Sequence, residues 1–192
     1  MLTQGWVEGV VCVQNIIEDH FQLMPVIART KEEILAARMN KFTLSPNLSI
    51  LEQIQQSGIE LLLVIGVSCQ IQALRAVQRK LSLEKLYVLG TTCVGNVTRD
   101  GLRKFIKTTS RSPKIIVDHE FMRYFCIYFK HQDGSIEKVD FWGLKTNKLK
   151  DVFVTSCMSC FDYVNVLADL VVDYMGAGFG WQWITVRNET GQ

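Results

Sequence analysis

Short aliphatic runs and amphipathic stretches take turns along the first half of the chain. Val7–Gln14 (VEGVVCVQ), Glu60–Gly66 (ELLLVIG) and Lys85–Gly90 (KLYVLG) are aliphatic or β-branched and predict buried strands. Gln70–Lys80 puts Ile71, Leu74 and Val77 on one helical face. Thr98 is a good N-cap for a helix to about Thr108, with Leu102, Phe105 and Ile106 inward. Thr30-Lys31-Glu32-Glu33, after the brief apolar run that follows Pro25, is a capping box that opens a short helix to about Met39. Ser45-Pro46-Asn47 is a turn leading into a helix that stops at Gly58. Strands joined through helices of this length predict crossovers and a mainly parallel sheet.

The period changes after Pro113. Lys114–Val117 is strand-like, and Tyr124–His131 faces Ser135–Phe141 across Asp133-Gly134, a hairpin signal. Ala168–Met175 and Trp183–Arg187 predict two more strands. The expected fold is α/β, a mainly parallel sheet with crossover helices and an antiparallel hairpin extension over 113–142, in one domain spanning 1–192. A start almost directly on a strand, and few helices to cover an open sheet, make that domain look truncated.

Composition narrows the function classes. With 48% hydrophobic and 21% charged residues in 192, the chain is globular, and a net charge of +2 gives no case for a nucleic-acid partner. The aliphatic run Leu61–Val67 falls far short of the ~20 residues a membrane span needs. With no basic-then-apolar opening segment, a soluble intracellular protein is expected. No G-x-G-x-x-G or P-loop occurs. His20, His119 and His131 share no catalytic context; His131 reads as solvated, His119 as either solvated or site-facing.

The six cysteines carry the chemistry. Cys69 (GVSCQ) and Cys93 (GTTC) each follow a predicted strand, which puts both at the carboxyl edge where open α/β sheets place their sites. Cys157-Met158-Ser159-Cys160 adds a C-x-x-C. Four sulfurs of this kind suit an iron–sulfur cluster or a structural zinc, and a redox dithiol is the other reading. Zinc usually takes two paired knuckles, whereas Cys69 and Cys93 are single, so the spacing favours the cluster. Cys12 and Cys126 sit inside strand-like runs and read as buried hydrophobes.

The segments GVSCQIQALR, LEKLYVLGTTC, SCMSCFDY and ADLVVDYMG resemble the beta-subunit family of deazaflavin-coenzyme-reducing hydrogenases. RTKEEILAAR, TLSPNLSILE, TRDGL and ITVRNETG resemble its photosynthetic branch, which contains the cyanobacterial-type divinyl chlorophyllide 8-vinyl reductase and 7-hydroxymethyl chlorophyll a reductase. The resemblance implies a ferredoxin-dependent oxidoreductase of chlorophyll metabolism, holding FAD and a 4Fe-4S cluster. FGWQWITVRN and TTSRSP lean toward 8-vinyl reduction, with the 7-hydroxymethyl group as the alternative. Cys69, Cys93, Cys157 and Cys160 match the family's cluster cysteines. Ser45, Asn47 and Gln70 are the expected flavin contacts. Arg187 is the expected phosphate partner, with a solvated strand-end position as the plainer alternative. Asp162 and Asp169 are candidate proton donors, and Phe161, Tyr163, Phe179, Trp181 and Trp183 candidate walls for a flat apolar pigment.

The implied partners are reduced ferredoxin, a chlorophyll-type pigment, and either a second copy or a complementary subunit. The implied setting is the cytoplasm of a cyanobacterium or a plastid, in peripheral association with thylakoids. The sequence also departs from the family. Asp173 stands where relatives carry Gly, and the N-terminal cysteine cluster and a FAD-binding Ser/Thr-Gly loop do not precede Met1. A non-catalytic module that binds a partner subunit is therefore the competing expectation.

Overall fold

The computed structural model describes every residue except 17, 18, 20, 123, 175, 176 and 179. His20, Met175 and Phe179, named above, lie outside the described residues. Among the described residues, nine strands fall into two sheets. The larger has the order β2-β1-β3-β4-β8-β9, built from β1 (Gly9–Asn15), β2 (Leu23–Ala28), β3 (Leu61–Val67), β4 (Lys85–Thr91), β8 (Leu170–Asp173) and β9 (Trp183–Val186). Its centre is parallel, β1 on β3 on β4 on β8, and its two outer strands are antiparallel. The expected α/β architecture is present. The strand β2 went unread because Pro25 interrupts it; as an outer strand it tolerates a residue without an N–H.

Strand alternation divides the sheet's side chains between two layers. Val11, Leu62, Val64, Val88 and Val171 pack against α2 (Leu51–Gln56) and α3 (Ser68–Val77) through Ile54, Ile71 and Leu74. Val10 and Cys12, on the opposite face, pack with Ala28 and with Ile34 of α1 (Lys31–Ala36). The capping box at α1 is formed: Glu33 N–H donates to Thr30 Oγ1 at 3.2 Å, and Thr30 N–H to Glu33 Oε2 at 3.1 Å. That helix ends before Met39, which takes a left-handed φ of 82°.

Residues 113–142 carry the antiparallel extension. β5 (Ile116–Met122), β6 (Cys126–His131) and β7 (Ile136–Asp140) form a sheet of their own rather than an edge of the main one. α4 (Arg99–Thr109) covers it, and Leu102, Phe105 and Ile106 meet Ile116, Ile127 and Phe129 in a separate apolar cluster. This sheet and its helix fill the crossover from β4 to β8, so they bring the C-x-x-C segment back to the main sheet. Among the described residues no helix is long and apolar enough to cross a membrane.

Two residues of this unit depart from the sequence reading. His131 is not solvated: its Nδ1 lies 2.9 Å from Ser135 Oγ and its Nε2 3.4 Å from Glu137. His119 is neither solvated nor in the cavity described below. It is 5% exposed, with the rings of Phe21, Phe42 and Phe121 centred 6.0–6.5 Å away. Burial pushes its imidazole down to about 4, against a partial opposing pull from Asp118, while Lys41 adds to the lowering. Between the unfolded value near 6.5 and that folded value, the unfolded chain takes up a proton the folded chain refuses. Stability is therefore lost as pH falls through this window, by roughly 3 kcal/mol. His119→Leu is expected to remove that part of the acid sensitivity, read as a smaller drop in the urea midpoint between pH 7 and 4.5.

Gly101 gives a second test. An alanine in the first turn of a helix ordinarily stabilises it. Here a Cβ would stand 2.5 Å from the Val152 carbonyl oxygen, so α4 would have to move off the segment that leads to Cys157. Gly101→Ala is expected to destabilise by about 1–3 kcal/mol in urea unfolding, the opposite sign to its helix propensity.

Candidate functional site

β3 and β4 run in register to their carboxyl ends, Gly66 beside Gly90 and Val67 beside Thr91. α3 begins immediately after β3, and the Val67 N–H donates to Gln70 Oε1 at 3.1 Å, which fixes the turn. Cys69 is the second residue of α3 and is exposed; Cys93 follows β4 and is half-buried. The Cys93 N–H donates to the Tyr163 carbonyl at 3.1 Å. Gly95 lies flat on Phe153, where a Cβ would come within 3.2 Å of the ring. The Val154 N–H donates to the Asn96 carbonyl at 3.0 Å. These contacts set the 3₁₀ turn Thr155–Ser159, and with it half-buried Cys157 and exposed Cys160, against the Cys93 loop.

All four cysteines line one cavity of about 670 Å³, within the range of small-molecule and cofactor sites. Ser45, Asn47 and Gln70 line it too, as does Asp162. Burial pushes the Cys69 thiol above its ordinary range, and the nearby Cys157 and Cys160 push it further. Cys93 is raised first by burial and then by Cys157, Cys69 and Cys160, against a lowering contact with Gly95. Among the described residues no three such ligands are already drawn together at metal-binding distance. Cys12 and Cys126 are buried, as expected.

Behind the cavity, the loop 162–169 is pinned across the strand ends by polar contacts. Asn165 is fully buried, takes a left-handed φ of 57°, and donates from Nδ2 to the carbonyls of Gly66 at 2.9 Å and Thr91 at 3.3 Å. Asp162 accepts from Gln72 Nε2 at 2.9 Å and from the Val166 N–H at 3.1 Å. Asp169, 4% exposed, accepts from Arg75, from Asn188 and from the Val88 N–H, each at 2.7 Å. It is a structural knot and does not line the cavity. Asp173 accepts from Thr92 Oγ1 at 2.7 Å and is likewise outside the lining. Arg187 is exposed, and its guanidinium donates to the Val164 carbonyl at 2.8 Å. It is not among the residues that line the cavity. Tyr163 lines the cavity, whereas Phe161, Trp181 and Trp183 are exposed and do not.

Two family models of the coenzyme F420 hydrogenase/dehydrogenase beta subunit match the chain, the N-terminal one over residues 1–52 and the C-terminal one over 59–192. The chain belongs to this beta-subunit family. It superposes with a TM-score of 0.83 on a chain of the F420-reducing [NiFe] hydrogenase complex from Methanosarcina barkeri, at 25% identity, covering 99% of itself and 66% of that chain. It is 76% identical over its whole length to the uncharacterized protein all1601 of Nostoc sp., and 50% identical to the chloroplastic 7-hydroxymethyl chlorophyll a reductase of Oryza sativa. The chain spans about half the length of these two relatives, 48% and 42% respectively.

Two residues of this beta-subunit site escaped the sequence reading. Ser68, overshadowed by Cys69, is buried in the cavity wall with an unpartnered hydroxyl. Asn165 carried one signal, an Asn in DYVNVL, a residue type that tolerates left-handed backbone. Asn165→Ala strips two buried carbonyls of their donor and opens a void. It is expected to cost about 2–4 kcal/mol in urea unfolding, which a shift in the denaturation midpoint checks.

Proposed function

We propose that the chain is the electron-handling part of a ferredoxin-dependent oxidoreductase that reduces a substituent of a chlorophyll-type macrocycle, in a cyanobacterial cytoplasm or a plastid. The observation that carries this is the cavity itself, which four thiols from three separate segments line at the carboxyl ends of β3 and β4. The identity to 7-hydroxymethyl chlorophyll a reductase supports the pigment class. The 8-vinyl group, favoured by the sequence resemblance, has no matching name among the relatives reported above. The 7-hydroxymethyl group is thus the better supported of the two.

The residues fit the cofactors that the resemblance implies. Four thiols on one cavity, with Asp162 already engaged by Gln72 and Val166, are a soft donor set for a 4Fe-4S cluster. The buried Ser45 Oγ, Asn47 Oδ1 and Ser68 Oγ are unpartnered and sit in the same wall, which fits a polar-edged ring such as a flavin's. When bound, a cluster supplies one-electron transfer and a flavin couples it to two-electron reduction. The chain's part is positional. Cys69 and Cys93 are held by the β3–α3 and β4 turns, Cys157 and Cys160 by the 3₁₀ turn docked on Asn96, and the pinned 162–169 loop closes the back of the site.

Anaerobic iron and sulfide analysis of the purified chain tests this. About four irons and four sulfides per chain are expected, and loss of both in Cys157→Ser. Stoichiometric zinc, or neither metal in a folded chain, would sink the reading and leave the partner-binding module. Reduced ferredoxin with 7-hydroxymethyl chlorophyll a and with divinyl chlorophyllide, in separate reactions, then distinguishes the two substituents.

A further inference from the structure

We infer that one end of the small sheet, formed by the β5–β6 turn and the segment after β7, docks on the surface of an anionic lipid bilayer. Tyr124, Phe125 and Trp142 enter the headgroup layer there, and Lys145, Lys148 and Lys150 lie against its charge. None of these residues lines the thiol cavity, so the surface is separate from that site.

Register brings the aromatic residues together. Met122 pairs with Cys126 and Cys126 with Asp140, so β5 ends, β6 begins and β7 ends on the same side of the sheet. The Phe141 N–H donates to the Phe125 carbonyl at 2.8 Å, and the rings of Phe125 and Trp142 are centred 6.1 Å apart. Phe141 packs on the cluster beneath α4 and roots this end in the core. Its neighbours face water: Trp142 is 87% exposed, Tyr124 72% and Phe125 48%. Tyr124 and Phe125 also take left-handed φ values of 66° and 54°. Glycine or asparagine makes such a turn with less strain, and the exposed Tyr124 ring regains little by packing. Strained backbone that holds apolar rings out into solvent marks a surface for a partner.

Charge identifies the partner. Lys145, Lys148 and Lys150 follow Trp142 through the 3₁₀ turns Phe141–Gly143 and Thr146–Lys148, and all three are exposed. Lys104 and Lys138 are paired with Asp151 and Asp140, but among the described residues these three have no carboxylate at ion-pair distance. Buried Leu149, set among them, ties the segment to the cluster under α4. Rings with an apolar body and a polar edge settle at the boundary of headgroups and acyl chains, and lysines beside them are drawn to an anionic leaflet. Either signal alone holds a protein weakly, and the two together anchor it. A second copy docked patch to patch would instead set three unpaired lysines against three more.

The test is co-sedimentation of the purified chain with vesicles of phosphatidylcholine alone, or mixed in equal parts with phosphatidylglycerol, at low and at high salt. Binding to the anionic vesicles is expected, at least about tenfold weaker to the neutral ones, with release at high salt. Replacing Lys145, Lys148 and Lys150 together by Gln should weaken it about 100-fold, near fivefold for each lysine. Trp142→Ala should weaken it about tenfold and, at so exposed a position, leave the urea midpoint unchanged. Trp183→Ala, which removes an equally exposed ring on β9, should leave vesicle binding as it was. Equal binding to neutral vesicles, no binding to either, or binding that survives the lysine or the Trp142 substitution would overturn the inference. So would a loss in Trp183→Ala as large as in Trp142→Ala. Self-association that Trp142→Ala abolishes, without vesicle binding, would give the surface to a second copy and overturn it as well.

Discussion

A single side-chain amide holds the site's frame in place. Two parallel strands that end side by side leave carbonyls with no further strand to bond them, and Asn165 answers two, Gly66 on β3 and Thr91 on β4, from one nitrogen. Its reach depends on Gly90, where a Cβ would come within 2.6 Å of the amide nitrogen. The carbonyls fix the amide, and the amide fixes the 162–169 loop. That loop in turn receives the Cys93 N–H through Tyr163 and shares Arg75 with α3 through Leu167 and Asp169. A polar, buried, left-handed residue thus ties the strand ends, the helix and one thiol loop into a unit.

Around that unit the electrostatics are spare. In a chain with 21% charged residues, the cavity's segments carry almost none. The thiols at Cys69 and Cys93 are raised because burial and neighbouring sulfur both oppose a negative charge there. A cationic centre held by these thiols would reverse both effects, because its charge would favour the thiolate form that the protein alone disfavours.

The parts of this arrangement that repeat a local rule were readable in the sequence. β3, α3 and β4 follow from aliphatic runs and a helical face, the capping box at Thr30 from its four letters, Cys69 and Cys93 from their place after strands, and Cys157 and Cys160 from their C-x-x-C spacing. Ser45, Asn47 and Gln70, named as flavin contacts by the family resemblance, line the cavity. What was not readable depends on residues distant in sequence. That Asp169 is a knot under Arg75 and Asn188, that β5–β7 close on themselves, and that Asn165 spans two strand ends are facts of register and docking. A pattern of period two or 3.6 does not encode them. Pro25 hid β2 for the converse reason: a local penalty that an outer strand does not incur.

The crossover between β4 and β8 sets an order of events. Val88 and Asp169, bonded across these strands, lie 81 residues apart, and a whole antiparallel sheet with its helix intervenes. Cys69 and Cys93 belong to a compact β-α-β unit that can form early. Cys157 and Cys160 arrive only after the long loop has closed, and closure of that kind is entropically costly and slow. During synthesis, then, half of the thiol set waits in place, exposed to solvent and oxidant, for the other half. The interval in which this protein is most vulnerable to wrong sulfur chemistry is written into its topology.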